Sequence, residues 1–185
     1  MTRGAALLML CAAPWLHAWA QAASAPLPDP PPAIAATVPQ LTPRGAGSYR
    51  WFGLHVYDAT LWTPAQAGSL PDWSQPLALR LRYARSLRGA DIATRSVDEI
   101  ARLGLGTPAQ QQDWLARMRA LFPDVRDGST LSGVHLPGRG ARFFHDDRLL
   151  GDIADAEFSR AFFSIWLHAE TSAPALREAL LGRRP

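Results

Sequence analysis

Between Gly45 and Trp62 the chain reads Gly-Ala-Gly-Ser-Tyr-Arg-Trp-Phe-Gly-Leu-His-Val-Tyr-Asp-Ala-Thr-Leu-Trp, which predicts a glycine-flexible turn at Gly45-Ala46-Gly47 ahead of an aromatic, strand-forming run. Neighbouring side chains of a strand face opposite ways. Read through without a break, the alternation puts Arg50 on the face of Phe52, Leu54 and Val56, and turns Trp51, His55 and Tyr57 the other way. Both faces are then largely apolar, as in a strand covered on both sides. Gly53 marks a place where a bulge would swap the faces beyond it. Arg50 stands at the rim of this apolar stretch with two readings open. It either snorkels to water or pairs with a carboxylate such as Asp58, or it offers its planar fork of donors to an anionic head group at the mouth of a pocket.

The chain has 185 residues, enough for one domain with a full core and too few for two. Its formal charge of +3 is too small to argue for nucleic acid, and no basic run interleaves with aromatics. The first residues carry a different message. Arg3 supplies a positive n-region, Ala5 to Trp15 an apolar stretch, and Ala18-Trp19-Ala20 a small-x-small cleavage site. That stretch is shorter than the roughly 20 apolar residues a membrane span needs. Residues 1–20 are therefore expected to be a signal peptide, with the mature protein periplasmic or secreted and without an integral membrane segment. The single cysteine, Cys11, leaves with it, so no disulfide, thiol nucleophile or thiolate metal site is expected.

Residues 21–43 are rich in Ala and Pro, with Pro28-Asp29-Pro30-Pro31-Pro32 at their centre; this composition predicts an extended linker ahead of a domain at 44–185. Leu77, Leu79, Leu81 and Tyr83 alternate with Arg80 and Arg82, a half-exposed antiparallel strand. Asp91 opens a helix to about Leu103, and Thr107-Pro108-Ala109-Gln110 is a capping box opening another that stops at Pro123. Residues 130–136 and 141–145 flank a glycine-rich hairpin loop, and Asp146-Asp147 makes a further turn into Leu149-Leu150-Gly151. Asp155 caps an apolar helix with Phe158, Phe162, Ile165 and Trp166, and Pro174 opens a short last helix ending at Gly182. Strands, helices, strands and helices in this order predict an α+β fold, helices laid on an antiparallel sheet.

No phosphate loop, dinucleotide fingerprint or nucleophile elbow is present. His55, His135, His145 and His168 lie on separate elements without metal-ligand spacing, which predicts structural or surface roles. Neither a metal nor a cofactor is expected, and no catalytic residue stands out.

The Gly-Ala-Gly-Ser-Tyr-Arg opening, Val56-Tyr57-Asp58-Ala59-x-Leu61, Tyr83-Ala84-Arg85, and Gly151-Asp152-Ile153-x-Asp155-x-x-Phe158 with Ile165-Trp166-Leu167 and Leu180-Leu181-Gly182 together resemble the bacterial chalcone isomerase-like proteins, over about Leu41 to Gly182. The resemblance implies a curved antiparallel sheet covered on one face by helices, with a ligand cleft between them. In the plant enzymes of that fold an arginine after a Gly-x-Gly turn, helped by threonine, tyrosine and asparagine, stabilises the oxyanion of a cyclising chalcone; related plant proteins keep the arginine and bind fatty acids. Arg50 matches that arginine with one extra residue between. Phe52 stands about where the threonine is expected, and Gly89 to Arg95 offers neither the tyrosine nor the asparagine. The resemblance thus implies a non-catalytic binder of a fatty acid or similar hydrophobic carboxylate, with Arg50, Phe52, Leu54, Tyr57 and Tyr83 at the ligand and its tail between the sheet and the helices of Trp114, Met118, Phe158, Phe162 and Ile165. An isomerase or intramolecular lyase on an unknown substrate, and an envelope protein-interaction module, are the alternatives.

Overall fold

A computed structural model describes residues 26–68 and 71–183; the expected signal peptide, Cys11 and residues 21–25 lie outside them. Six antiparallel strands follow one another across a single sheet in chain order: β1 (Leu41–Trp51), β2 (Leu54–Pro64), β3 (Leu77–Tyr83), β4 (Thr130–Leu136), β5 (Gly140–His145) and β6 (Arg148–Ile153). The helices are α1 (Pro32–Thr37), α2 (Gly89–Arg102), α3 (Pro108–Leu121), α4 (Ala156–Leu167) and α5 (Pro174–Leu180).

The clean alternation of β3 sets the layers. Leu77, Leu79, Leu81 and Tyr83 join Ala59, Leu61, Leu131, Phe143 and Ile153 of the neighbouring strands in one core with Ile100, Trp114, Met118, Phe158, Phe163 and Leu180 of α2 to α5. The opposite face of the same strands presents Ala78, Trp62, Val134 and Phe144. This is the α+β sheet-and-helix architecture expected, with the four later helices on one face. The Thr107 capping box forms as read, its side chain accepting from Gln110 N–H. Asp155 caps α4 through both Glu157 and Phe158 N–H. Helix α2 starts earlier than expected. Gly89 N–H finds its acceptor on Asp124, 2.9 Å away, and Asp91, inside the first turn, instead pairs with Arg88 at 2.8 Å.

Two expectations are corrected here. The stretch from Gly45 to Trp62 is not one continuous strand but the β1–β2 hairpin at the edge of the sheet, pairing Tyr49 with Tyr57 and Trp51 with Leu54. Its turn is Phe52-Gly53, with φ of 46° and 80°. Positive φ at both central residues is the turn geometry that matches strand twist, yet asparagine or glycine usually fills its first position. A bulky side chain held there costs about 1–3 kcal/mol. Nor is Gly45-Ala46-Gly47 a turn. These residues lie within β1 beneath α5, where a Cβ on Gly45 would come within 2.2 Å of the Ala179 carbonyl oxygen and one on Gly47 within 2.9 Å of the Ala179 side chain. The glycines let a helix lie on the strand.

The second correction concerns residues 21–43, read as a tether. From Pro28 onward they belong to the folded body. Ile34 of α1 is fully buried and packs with Val38, Leu41, Trp62, Ala78, Val134 and Phe144 against the sheet face away from the other helices. Trp62 Nε1 donates to the Pro28 carbonyl at 2.9 Å, fixing the start of this segment. Proline at the first position of α1 costs that helix nothing, and two buried aliphatics suffice to anchor a short segment that composition alone describes as unstructured.

Candidate functional site

The chain's three tyrosines come together at one corner. Tyr49 stacks on Tyr57 across the β1–β2 pair with ring centroids 5.1 Å apart, and Tyr57 meets Tyr83 of β3 edge-on at 5.9 Å. All three pack against the core beneath the helices. The chain places them there by register: Tyr57 is opposite Tyr49 on one side and Tyr83 on the other. Above them, Trp166 near the end of α4 donates its indole N–H to the Tyr57 hydroxyl at 3.0 Å.

The polar part of this corner comes from α2. Glu99, almost fully enclosed, accepts from Arg102 Nε at 2.8 Å and pairs with Arg95 one turn away. It also receives a hydrogen bond from Ser172 in the loop between α4 and α5, while Arg102 donates to the Glu170 carbonyl at 2.9 Å. Burial would raise the Glu99 carboxyl, but the bonds from Arg102 and Ser172 and the charges of Arg95 and Arg102 outweigh it and hold the group below its usual range. Two guanidinium groups thus share one carboxylate, and at the Tyr57 hydroxyl the charge of Glu99 outweighs that of Arg95.

Burial moves the phenols the other way. It carries Tyr57 and Tyr83 far above the usual tyrosine range, with the Trp166 bond offsetting only part of the effect at Tyr57 and the neighbouring Tyr57 adding to it at Tyr83. Both stay protonated at any physiological pH, so they donate hydrogen bonds and supply no phenolate base. Tyr57 already accepts from Trp166, yet among the described residues no acceptor stands within reach of its own proton, nor of the Tyr49 or Tyr83 hydroxyl. The corner therefore offers hydroxyl protons that no described side chain accepts.

Of the five residues expected at a ligand, the structure brings together Tyr57 and Tyr83 and separates the rest. Alternation from Tyr49, which faces the helices, puts Arg50 with Ser48 on the opposite face. Arg50 is exposed, and its guanidinium reaches the Gly53 carbonyl at 3.4 Å. Phe52 and Leu54 stand beside it at the hairpin tip, largely in water. The reason is the turn at Phe52-Gly53, which ends β1 just past Arg50 and carries these residues beyond the helices. The path expected for a tail is itself occupied: Trp114 and Phe158 meet at 5.9 Å, Phe158 and Phe162 stack at 5.6 Å, and Phe162 and Trp166 meet at 5.4 Å. A hollow of about 430 Å³ opens on the outer side of this cluster, lined by Leu105, Thr107, Gln110, Trp114 and Arg160 among others. Gln110 and Glu157 bond across it.

Sequence reading missed Tyr49, Arg95, Glu99 and Trp166. The spacing of Arg95, Glu99 and Arg102 gave a signal, since one carboxylate flanked at i−4 and i+3 by arginines on one helix face is an ion-pair cluster. What it sits beside could not be read from α2 alone. Of the histidines, His135 is held within the core by hydrogen bonds on both ring nitrogens. His135 is buried, its Nδ1 2.7 Å from Ser159 Oγ and its Nε2 3.1 Å from the Trp73 carbonyl. A carbonyl only accepts, so Nε2 carries the proton and Nδ1 accepts from the serine.

Comparison with known proteins bears on the fold. Residues 28–182 match the model of a family described as chalcone isomerase-like. A protein of Haemophilus influenzae is 33% identical over 141 residues, which are 76% of this chain and 68% of that one. The crystal structure of an Arabidopsis thaliana fatty-acid binding protein superimposes with a TM-score of 0.58 at 14% identity, over 77% of this chain and 87% of that one. At that identity the likeness is one of fold.

Proposed function

The chain belongs to the chalcone isomerase-like family, and on that footing we propose that it is an exported, non-catalytic binder of a fatty acid or similar amphipathic carboxylate, held at the tyrosine corner. The observation that carries this reading is the set of hydroxyl protons there. Three phenol hydroxyls on one apolar strand face, whose protons no described side chain accepts, suit a ligand that brings acceptor oxygens to them. An ionised carboxylate is such a ligand, and Arg95, whose charge is felt at the Tyr57 hydroxyl and whose side chain is largely exposed, is the cation we assign to it. The fatty-acid binding protein among the fold's solved structures supports the choice of ligand class. Binding requires the aromatic contacts between sheet and helices to open for the tail.

The same electrostatics favour holding over transforming. Proton transfer is most effective from groups that titrate near the working pH, whereas here the phenols are held protonated and Glu99 is held ionised. An isomerase or intramolecular lyase remains the alternative class for this fold, and chalcone cyclisation at a useful rate is not expected. Calorimetric titration of the protein purified from its host, with a long-chain fatty acid and with its methyl ester, tests the reading. A charge-assisted hydrogen bond contributes about 1.5–3 kcal/mol, roughly 10- to 100-fold in affinity, so the acid should bind more tightly than the ester by that margin. Arg95→Ala should remove most of the margin, and Arg50→Ala little of it. Equal binding of acid and ester, or a loss confined to Arg50→Ala, refutes the site. Export is checked separately by intact mass, which should show a chain beginning at or near Gln21.

A further inference from the structure

The part of the molecule that its own fold explains least is the tip of the β1–β2 hairpin. Trp51, Phe52 and Leu54 leave 55%, 88% and 52% of their surfaces in water, side by side around one turn. Phe52 buries almost nothing, and its φ of 46° is one that asparagine or glycine adopts at less cost. Neither packing nor backbone preference accounts for an aromatic residue there. Apolar side chains that cost the free protein stability and are sheltered by nothing in it mark a contact made elsewhere.

The surroundings indicate what that contact is. Arg50 is exposed at the foot of the turn. Arg82 is exposed on β3, and Arg85 is held beside the start of β2 because Ala84 N–H donates to the Val56 carbonyl at 2.9 Å. Asp58, bonded by Ser48 at 2.6 Å and His55 at 2.9 Å, stands opposite Arg82 and offsets its charge, which leaves Arg50 and Arg85 as the cations here without a carboxylate partner among the described residues. We infer that this tip docks on the surface of a phospholipid bilayer containing anionic lipid, with Trp51, Phe52 and Leu54 entering the boundary between headgroups and acyl chains and the arginines meeting the phosphates. Shape and charge both select a lipid surface over a protein. The tip is a narrow, convex two-residue turn, and it is soft lipid that closes around such a shape. Trp51 and Phe52 stand edge-on at 5.0 Å, a compact amphipathic wedge of the kind that settles at the headgroup level. The β5–β6 hairpin ends on the same side of the sheet but turns through Asp146 and Asp147 at the opposite edge, so the molecule approaches tilted onto its β1–β2 corner. Docking stands whether or not the tyrosine corner takes a fatty acid.

Vesicle co-sedimentation with phosphatidylcholine alone and with phosphatidylglycerol added tests this, using the protein purified from its host and variants with the same N-terminus. The wild type should partition onto the anionic vesicles. Trp51→Ser/Phe52→Asn should lower the partition coefficient at least about tenfold, or about 1.4 kcal/mol, and brominated phospholipids should quench a larger share of wild-type tryptophan emission than of the Trp51→Ser emission. Arg50→Ser should weaken binding only where phosphatidylglycerol is present. Thermal melting separates docking from a structural role, because Phe52→Asn should leave the melting temperature unchanged or raised. Partition of the double variant equal to that of the wild type, or a Phe52→Asn protein that melts lower, overturns the inference.

Discussion

Ile34→Ala decides whether the segment before β1 is a tether or part of the domain. Ile34 is fully buried in the smaller core, against Val38, Leu41, Trp62, Ala78, Val134 and Phe144. Truncating a buried isoleucine to alanine costs about 2–5 kcal/mol, less where the neighbours can close the gap. A helix of six residues pinned by few contacts can settle inward, so the lower part of that range, about 2–3 kcal/mol, is expected. For a chain of this size each kcal/mol shifts the melting temperature by about 2–4 °C, which gives a fall of roughly 4–12 °C. The control is Ala36→Ser on the exposed side of the same helix, which should stay within about 0.5 kcal/mol of the wild type. Thermal melting and urea denaturation of both variants provide the measurement. If Ile34→Ala and Ala36→Ser melt alike, α1 does not belong to the cooperative unit and the correction to the linker is wrong.

Two further outcomes follow from single residues. Burial holds His135 below its ordinary value of 6.5, only partly countered by its bond to Trp73; the unfolded chain therefore takes up this proton first as pH falls, so the His135 contribution is complete above about pH 6.5 and is lost below it. Urea midpoints between pH 8 and pH 5 should fall less steeply in His135→Gln than in the wild type, and parallel curves would show that another group carries the dependence. Asp155 caps α4 with one carboxylate oxygen and accepts from Trp114 Nε1 at 2.9 Å with the other, so Asp155→Ala should cost more than the roughly 1 kcal/mol of an ordinary cap, while Asp155→Asn, which keeps one acceptor and loses the other, should fall between Asp155→Ala and the wild type; wild-type stability of Asp155→Asn in urea denaturation would show that the Trp114 bond contributes nothing.

How much of this was legible in the sequence differs sharply between elements, for physical reasons. The alternation of Leu77 to Tyr83, the Thr107 capping box and the Asp155 cap are local signals whose local structure follows, and all three form as read. The hairpin at Phe52-Gly53 was hidden because its first turn residue breaks the usual chemistry: an asparagine there would have announced the turn, whereas phenylalanine reads as strand. Gly45 and Gly47 were read as freedom in the backbone when they record the absence of a side chain beneath α5, a contact nearly the whole domain away in sequence. Helix α1 was illegible because its stability comes from the sheet face it covers and not from its own composition. For the tyrosine corner, each residue was visible but its company was not. Tyr49, Tyr57 and Tyr83 meet through strand register, and the concealed turn sets the first pair only together with an irregularity at Val56 that brings Tyr57 opposite Tyr49.

The hairpin tip and the tyrosine corner are joined by the same two strands. Tyr49 precedes Trp51 by two residues on β1 and Tyr57 follows Leu54 by three on β2, which at about 3.3 Å per residue sets the phenols some 7–10 Å from the tip. A tip seated among lipid headgroups would hold the tyrosine corner at the depth where a fatty-acid carboxylate lies. The two sites then act on different quantities. Trp51→Ser/Phe52→Asn should slow the transfer of a fluorescent fatty acid from anionic vesicles to the protein, by about tenfold if transfer follows the loss in partition, and leave its dissociation constant in vesicle-free solution unchanged. Tyr57→Phe removes one donor and should weaken that constant while vesicle partition stays as in the wild type. Stopped-flow transfer and equilibrium titration on the same samples separate the effects. Should the tip variant transfer at the wild-type rate, or should both variants change both quantities together, the division of labour between tip and corner is false, even if each site binds what is proposed for it.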